Sequence, residues 1–225
     1  MGNLPLVRFI SGTILVISAA TGGLMLPGCA STGIAIREKF GYAKREQLVD
    51  RVESARDSQD AAKEQFADAL EEFLAVTGAD TGDLEDRYAS LKRAYDRSES
   101  KAETVRDRIR SVERVADALF SEWEQELDQY ESESLRAASR AQLSDTRSQY
   151  DALISVMRRA ESRMDPVLRA FSDQVLLLKH NLNARAISSL RTTAAGIESD
   201  VATLIEEMNR SIAEADAFIK DMNAG

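Results

Sequence analysis

LEDRYASLKRAYDRSESKAETVRDRIRSVERVADALFSEW, residues 84–123, decides the fold. Apolar or small side chains recur at Leu84, Tyr88, Leu91, Tyr95, Ser98, Ala102, Val105, Ile109, Val112, Ala116, Leu119 and Trp123. The steps alternate four and three without a break, which gathers all twelve positions on one stripe of an α-helix. Such a stripe, of mean period 3.5, is the seam of a helix packed along another helix. Twelve positions on one rhythm are too many for accident.

Upstream, the same rhythm carries Leu48, Val52, Ala55, Gln59, Ala62, Phe66, Ala69, Phe73 and Val76. Gly78 then supplies the residue that ends a first helix and Thr81-Gly82 a turn. Asp83 is the N-cap of the second helix, with Glu85 and Asp86 well placed in its first turn. That helix fades at Tyr130, and Glu131-Ser132-Glu133-Ser134 reads as a polar turn with Ser132 or Ser134 as the next cap.

A third seam follows through Leu143, Thr146, Tyr150, Leu153, Met157, Ala160, Met164, Val167 and Phe171. It keeps phase across Pro166, which reads as a kink within a helix. Beyond it, Val175, Leu178, Leu182, Ala186 and Leu190 hold an excess of four-residue steps, and rhythm resumes at Ile197, Val201, Leu204, Met208, Ile212, Ala215 and Ile219. A turn lies between, either at 180–183 or near 192–196. The first choice makes four helices of about 40 to 50 residues, although 176–190 also reads as uninterrupted helix. The expected architecture is all-α: an elongated antiparallel bundle of three to four long helices with coiled-coil-like heptad seams. At ~1.5 Å per residue it forms a rod of roughly 65 Å.

Composition agrees with long helices. Charged residues make up 30% of the chain and aromatics 6%, with three prolines in 225 residues. A formal net charge of −9 repels phosphate backbones, so no nucleic acid is expected as a partner.

The lone cysteine, Cys29, follows the apolar stretch FISGTILVISAATGGLML (9–26), itself preceded by a short segment whose single charge is Arg8. A charged start, an apolar middle and a small-residue exit are the three parts of a secretory signal. Gly12, Gly22, Gly23 and Gly28, with interspersed Ser and Thr, dilute it and argue against a permanent membrane span. Leu26-Pro27-Gly28-Cys29 resembles a bacterial lipobox, with Pro27 standing where that signal has a small residue. The resemblance implies diacylglycerol on the Cys29 sulfur, cleavage before it, and palmitate-type acylation of the new amino group. Each buried methylene contributes ~0.8 kcal/mol, so several chains anchor stably where one does not. Ala30-Ser31 in place of an aspartate implies the periplasmic face of the outer membrane. The domain reading is 1–28 as lipoprotein signal peptide, 29–33 as lipidated cysteine and short tether, and 34–225 as one helical-bundle domain.

Catalytic chemistry is hard to find. Helical di-iron sites need Glu-x-x-His pairs on facing helices, but the one histidine, His180, has Leu177 three residues before it. No metal or cofactor is expected. Glu124 and Asp128 share a helix face in an acidic stretch that reads as salt-bridged, with Arg136 and Arg140 as nearby partners. Arg106, Arg110 and Arg114 form a stripe at steps of four, and Arg158, Arg159 and Arg163 cluster similarly. Such stripes suit anionic lipid head groups or cell-wall carboxylates, and equally pair with neighbouring helices. The polar phrase KHNLN (179–183), with His180, Asn181 and Asn183, is the leading interaction candidate; its plainer reading is a buried polar turn holding helix register.

KREQLVDRVESARDSQ (44–59), RIRSVERVADALFSEW (108–123) and VLLLKHNLNARAI (175–187), together with the lipobox, resemble an uncharacterised family of Gram-negative bacterial proteins. That family is labelled only as a domain of unknown function (number 2959), and many members carry a lipoprotein signal. The resemblance covers essentially the whole mature chain and implies an all-helical envelope lipoprotein; it transfers no activity. The functional expectation is a membrane-tethered, non-enzymatic helical scaffold that binds another envelope protein. A cell-wall or anionic-lipid binding module using the arginine stripes is the alternative, and an enzyme of unknown type comes third.

Overall fold

Each of the seams read from the sequence becomes one wall of a closed four-helix bundle. The computed structural model describes residues 30–79 and 82–224, of which 30–43 are described by backbone alone. Residues 1–29, on which the signal-peptide, lipobox and Cys29 lipidation expectations fall, lie outside the described residues. The helices are α1 (Ala30–Thr77), α2 (Leu84–Leu127), α3 (Glu133–His180) and α4 (Ala184–Ala224), 48, 44, 48 and 41 residues long. Short connections between the helices make successive ones antiparallel. Packing closes a ring in which α1 and α3 each lie against both α2 and α4. At ~1.5 Å per residue the 44-residue α2 gives a rod of about 66 Å.

The core follows the four-three rhythm closely. All nine α1 seam positions from Leu48 to Val76 have no exposed surface, including the polar Gln59. In α3 every seam position from Leu143 to Phe171 is buried, and the helix continues through Pro166. Tyr88, Tyr95 and Trp123 of α2 are only half-buried and pack on the edge of the core. Phe73 of α1 and Phe171 of α3 meet across the bundle diagonal, with ring centroids 6.2 Å apart. Burying large apolar side chains at full density is the main stabilising term for such a rod.

The structure settles the turn ambiguity at 181–183. Asn183 Oδ1 accepts the backbone N–H groups of Arg185 (3.0 Å) and Ala186 (3.1 Å), capping α4. The Asn181 backbone N–H returns to Leu178 O (3.1 Å) and its carboxamide donates to Leu177 O (3.0 Å), closing α3. Those bonds satisfy helix-end groups that a helix through 176–190 would have kept internal. The run of four-residue steps records this break, and Leu182 sits in it 42% exposed. Gly196, at the other candidate turn, is inside α4.

Three local expectations are corrected. Ile212 is only partly buried, and Ser211 takes the core position, because a strict three-residue step from Met208 lands there. Asp83 stands at the N-cap of α2 with φ −102° and ψ 3° and makes no side-chain cap bond, since caps of that kind need extended backbone. Ser132, with ψ 117°, does accept from Leu135 N, at 3.4 Å. Residues 31–33, read as part of a tether, are helical backbone within α1; each residue added to a formed helix gains a hydrogen bond, so a long helix extends back through weak formers.

Polar contacts stitch three of the four seams. On α1·α2, Lys44 pairs with Glu122 at 2.8 Å, and Arg97 Nε donates to Gln65 Oε1 at 3.0 Å. On α1·α4, Arg56 pairs with Asp216 at 2.8 Å, and the buried Ser211 hydroxyl donates to Gln59 Oε1 at 2.8 Å. On α2·α3, Arg158 clasps Glu113 and Arg147 pairs with Glu124 at 2.6 Å. Among the described residues, α3·α4 is closed by apolar packing without such a bond.

Candidate functional site

The sequence candidates fall in separate places. His180, Asn181 and Asn183 lie at the bundle end where α1 finishes and α2 begins, here called distal because α1 enters the bundle from the opposite end. All three are exposed, so the KHNLN phrase is a surface turn and not a buried one. Asn181 and Asn183 use their side chains to close α3 and cap α4. Lys179 and His180 stand in the last turn of α3, where the exposed carbonyls favour positive charge.

The arginine stripe runs along α2. Arg106 pairs with Asp165 of α3 (2.5 Å) and with Glu103 (3.2 Å). Arg110 pairs with Glu103 and Asp107, hydrogen bonds that raise its pKa. Arg114 is exposed. Asp165 lies fifteen residues before His180 on α3, so the stripe and the distal turn stand ~22 Å apart and form no common site. Arg158 is likewise engaged, with its pKa raised by hydrogen bonds to Glu113 and then Glu161 against the cost of burial.

The acidic stretch of α2 pairs differently from the sequence reading. Glu124 takes Arg147 and Glu122 takes Lys44, whereas Arg136 pairs with Glu133 and donates to Tyr130 O at 2.6 Å. Facing helices, and not the next turn of chain, supply the partners of the two glutamates. Around Arg147 an open groove of about 510 Å³ runs between α2 and α3, lined by Glu124, Leu127, Arg140, Leu143, Ser148 and Asp151 among others. The Arg147 guanidinium lies 4.9 Å from the Phe120 ring centre, and Phe120 meets Tyr150 edge-on at 5.4 Å. Burial first, then Glu113, Asp117 and Asp151, push the Tyr150 phenol up to about 12. The Arg147–Glu124 pair lines that groove, and the Tyr150 phenol lines a second one of about 300 Å³ beside it. Among the described residues no three His, Cys, Asp or Glu side chains converge as a metal site requires.

Sequence reading singled out KHNLN on the distal edge but missed the charge pattern around it. Residues 174–197 contain no Asp or Glu, while Lys179, Arg185 and Arg191 fall inside them, in a chain of net charge −9. Leu176 and Leu182 are 58% and 42% exposed in the same stretch. Counting acids along the chain finds this segment; following apolar rhythm does not, because Leu182 falls among the seam positions and Leu176 outside them.

Among the described residues no helix is long and apolar enough to cross a membrane. Residues 34–222 match the model of a family described as "Protein of unknown function (DUF2959)". No curated protein matches the chain.

Proposed function

The chain belongs to the DUF2959 family, a family of unknown function, and from that premise we propose that it is a non-enzymatic scaffold of the bacterial envelope. In this reading acyl chains on Cys29 hold it at the periplasmic face of the outer membrane, and the bundle holds another envelope component at a set distance. One observation carries the proposal: α1 runs without interruption from Ala30, the residue after Cys29, to Thr77. A helix is stiff, so an anchor at Cys29 transmits its position directly to the bundle, with no loose joint between. Forty-seven steps of ~1.5 Å place the distal turns about 70 Å from the start of α1. The packed apolar core leaves the outer faces and the distal end as the working surfaces. The arginine stripe supports a surface-binding role less well, since Arg106 and Arg110 are committed to carboxylates of the bundle itself.

Mass spectrometry of the mature N-terminal peptide tests the anchor. We expect it to begin at Cys29 and carry acyl chains, and Cys29→Ser to release a folded protein from membranes. An intact Met1 terminus or an unmodified thiol overturns the reading. Crosslinking in intact cells then identifies the component held.

A further inference from the structure

We propose that the distal α3/α4 edge docks onto an anionic phospholipid surface, a contact separate from any anchor at Cys29. Two observations meet there. The first is charge: the acid-free stretch 174–197 spans the end of α3 and the first third of α4, and carries Lys179, Arg185 and Arg191. Lys179 and Arg185 are exposed, and among the described residues neither has a carboxylate within ion-pair distance. Cations outside ion pairs occur elsewhere too, Lys101 and Arg114 among them, but from residue 44 onward no other run of the chain longer than eleven residues lacks Asp and Glu. Arg185 also sits in the first turn of α4, where the helix dipole disfavours a cation, so intramolecular electrostatics do not account for it.

The second observation is apolar exposure. Leu176 and Leu182 are among the few large apolar side chains that the bundle leaves open, and Lys179 and His180 lie between them in sequence. Protruding leucines among cations are the two components of interfacial membrane binding, apolar insertion and attraction to anionic head groups. The same end is acidic on its other side, at the exposed Asp83, Glu85 and Asp86, so the contact is made by the α3/α4 edge and not by the whole end.

The test uses the full chain held in phosphatidylcholine nanodiscs, carrying an environment-sensitive fluorophore on Leu182→Cys. A count of labels by mass spectrometry shows whether Cys29 is acylated (one label) or free (two). In the second case the measurement is repeated in a Cys29→Ser background, which separates failure of the anchor reading from failure of this one. Added vesicles of phosphatidylglycerol with phosphatidylethanolamine should shift the label to the blue, and pure phosphatidylcholine vesicles should not. Lys179→Glu with Arg185→Glu should weaken the response by about tenfold or more, as should high salt. Leu176→Ser, exposed and safe for folding, should weaken it without altering its salt dependence. A label at Glu85→Cys, at the same end, should stay unchanged. No shift, an equal shift with neutral vesicles, or an equal shift at position 85 overturns the proposal. So does a shift that grows with protein concentration in the absence of vesicles, which assigns the edge to a second copy of the chain.

Discussion

Gln59 and Ser211 meet at mid-height of the bundle with no exposed surface on either residue, and replacing both tests how this core is balanced. The Ser211 hydroxyl donates to Gln59 Oε1 at 2.8 Å, but Gln59 Nε2 finds no acceptor. Gln59→Leu with Ser211→Ala removes one neutral hydrogen bond, a loss of about 1 kcal/mol. It also removes an unpaired buried donor, whose desolvation costs roughly 1–3 kcal/mol. Leucine has nearly the volume of glutamine and buries more apolar surface, adding about 1 kcal/mol. The balance is a stabilisation of about 1–3 kcal/mol, or some 2–4 °C in Tm per kcal/mol for a domain of this size. The singles should differ in sign. Gln59→Leu alone keeps most of the gain, because the Ser211 hydroxyl can turn back to a carbonyl of its own helix. Ser211→Ala alone strips the Gln59 oxygen of its donor and should cost about 1–2 kcal/mol. Guanidinium unfolding followed by far-UV circular dichroism reads all four proteins, with the slope as a check that the unfolded state is unchanged. A double variant no more stable than the parent would refute the reasoning, since the carboxamide N–H would then be satisfied in solution.

Phe66→Asp and Ile109→Asp place a charge at positions with no exposed surface and should each lower unfolding free energy by about 3–5 kcal/mol; indifference to either in a denaturant titration contradicts the packing described. Gly196→Ala should stabilise α4 by roughly 0.5–1 kcal/mol in the same assay, because nothing lies within 4 Å of the added Cβ and alanine is the better helix former. Tyr150 should ionise near pH 12 in an ultraviolet titration, above the ordinary 10, because burial disfavours phenolate. The folded state therefore holds this proton more tightly than the unfolded chain, so the contribution is complete below pH 10 and lost as pH rises toward 12. Tyr150→Phe should flatten that alkaline loss, and an unchanged pH profile would show that the phenol is not responsible.

Most of the helix pattern was legible because it is local. Which residues share a helix face follows from the helical repeat alone, so every predicted seam position of α1 and of α3 up to Phe171 is buried, with Val49, Gln65, Leu168 and Gln174 buried beside them. Legibility failed where apolarity and rhythm disagreed. Ile212 is apolar but off the rhythm, and the polar Ser211 on the rhythm took the core place. Leu182 is apolar but belongs to a turn, which the asparagines on either side create by bonding to helix ends. KHNLN on the distal edge was singled out for its polar side chains, but the cationic character of the edge escaped notice: that signal is missing acids, and apolar periodicity does not register it.

The sequence by itself thus determined that the chain is helical, which face of each helix is core, and where two of the three turns fall. Tertiary structure alone decided which helices adjoin and which charges meet. Ser211 and Gln59 are 152 residues apart, Arg191 and the Thr77 carbonyl 114, and Arg106 and Asp165 59. No local rule selects such partners, because they depend on the axial shift and rotation of every helix together, set by filling one shared core without voids. That shared constraint is also why Glu124 pairs with Arg147 across a seam while Lys179 and Arg185, at the distal edge, are left facing solvent.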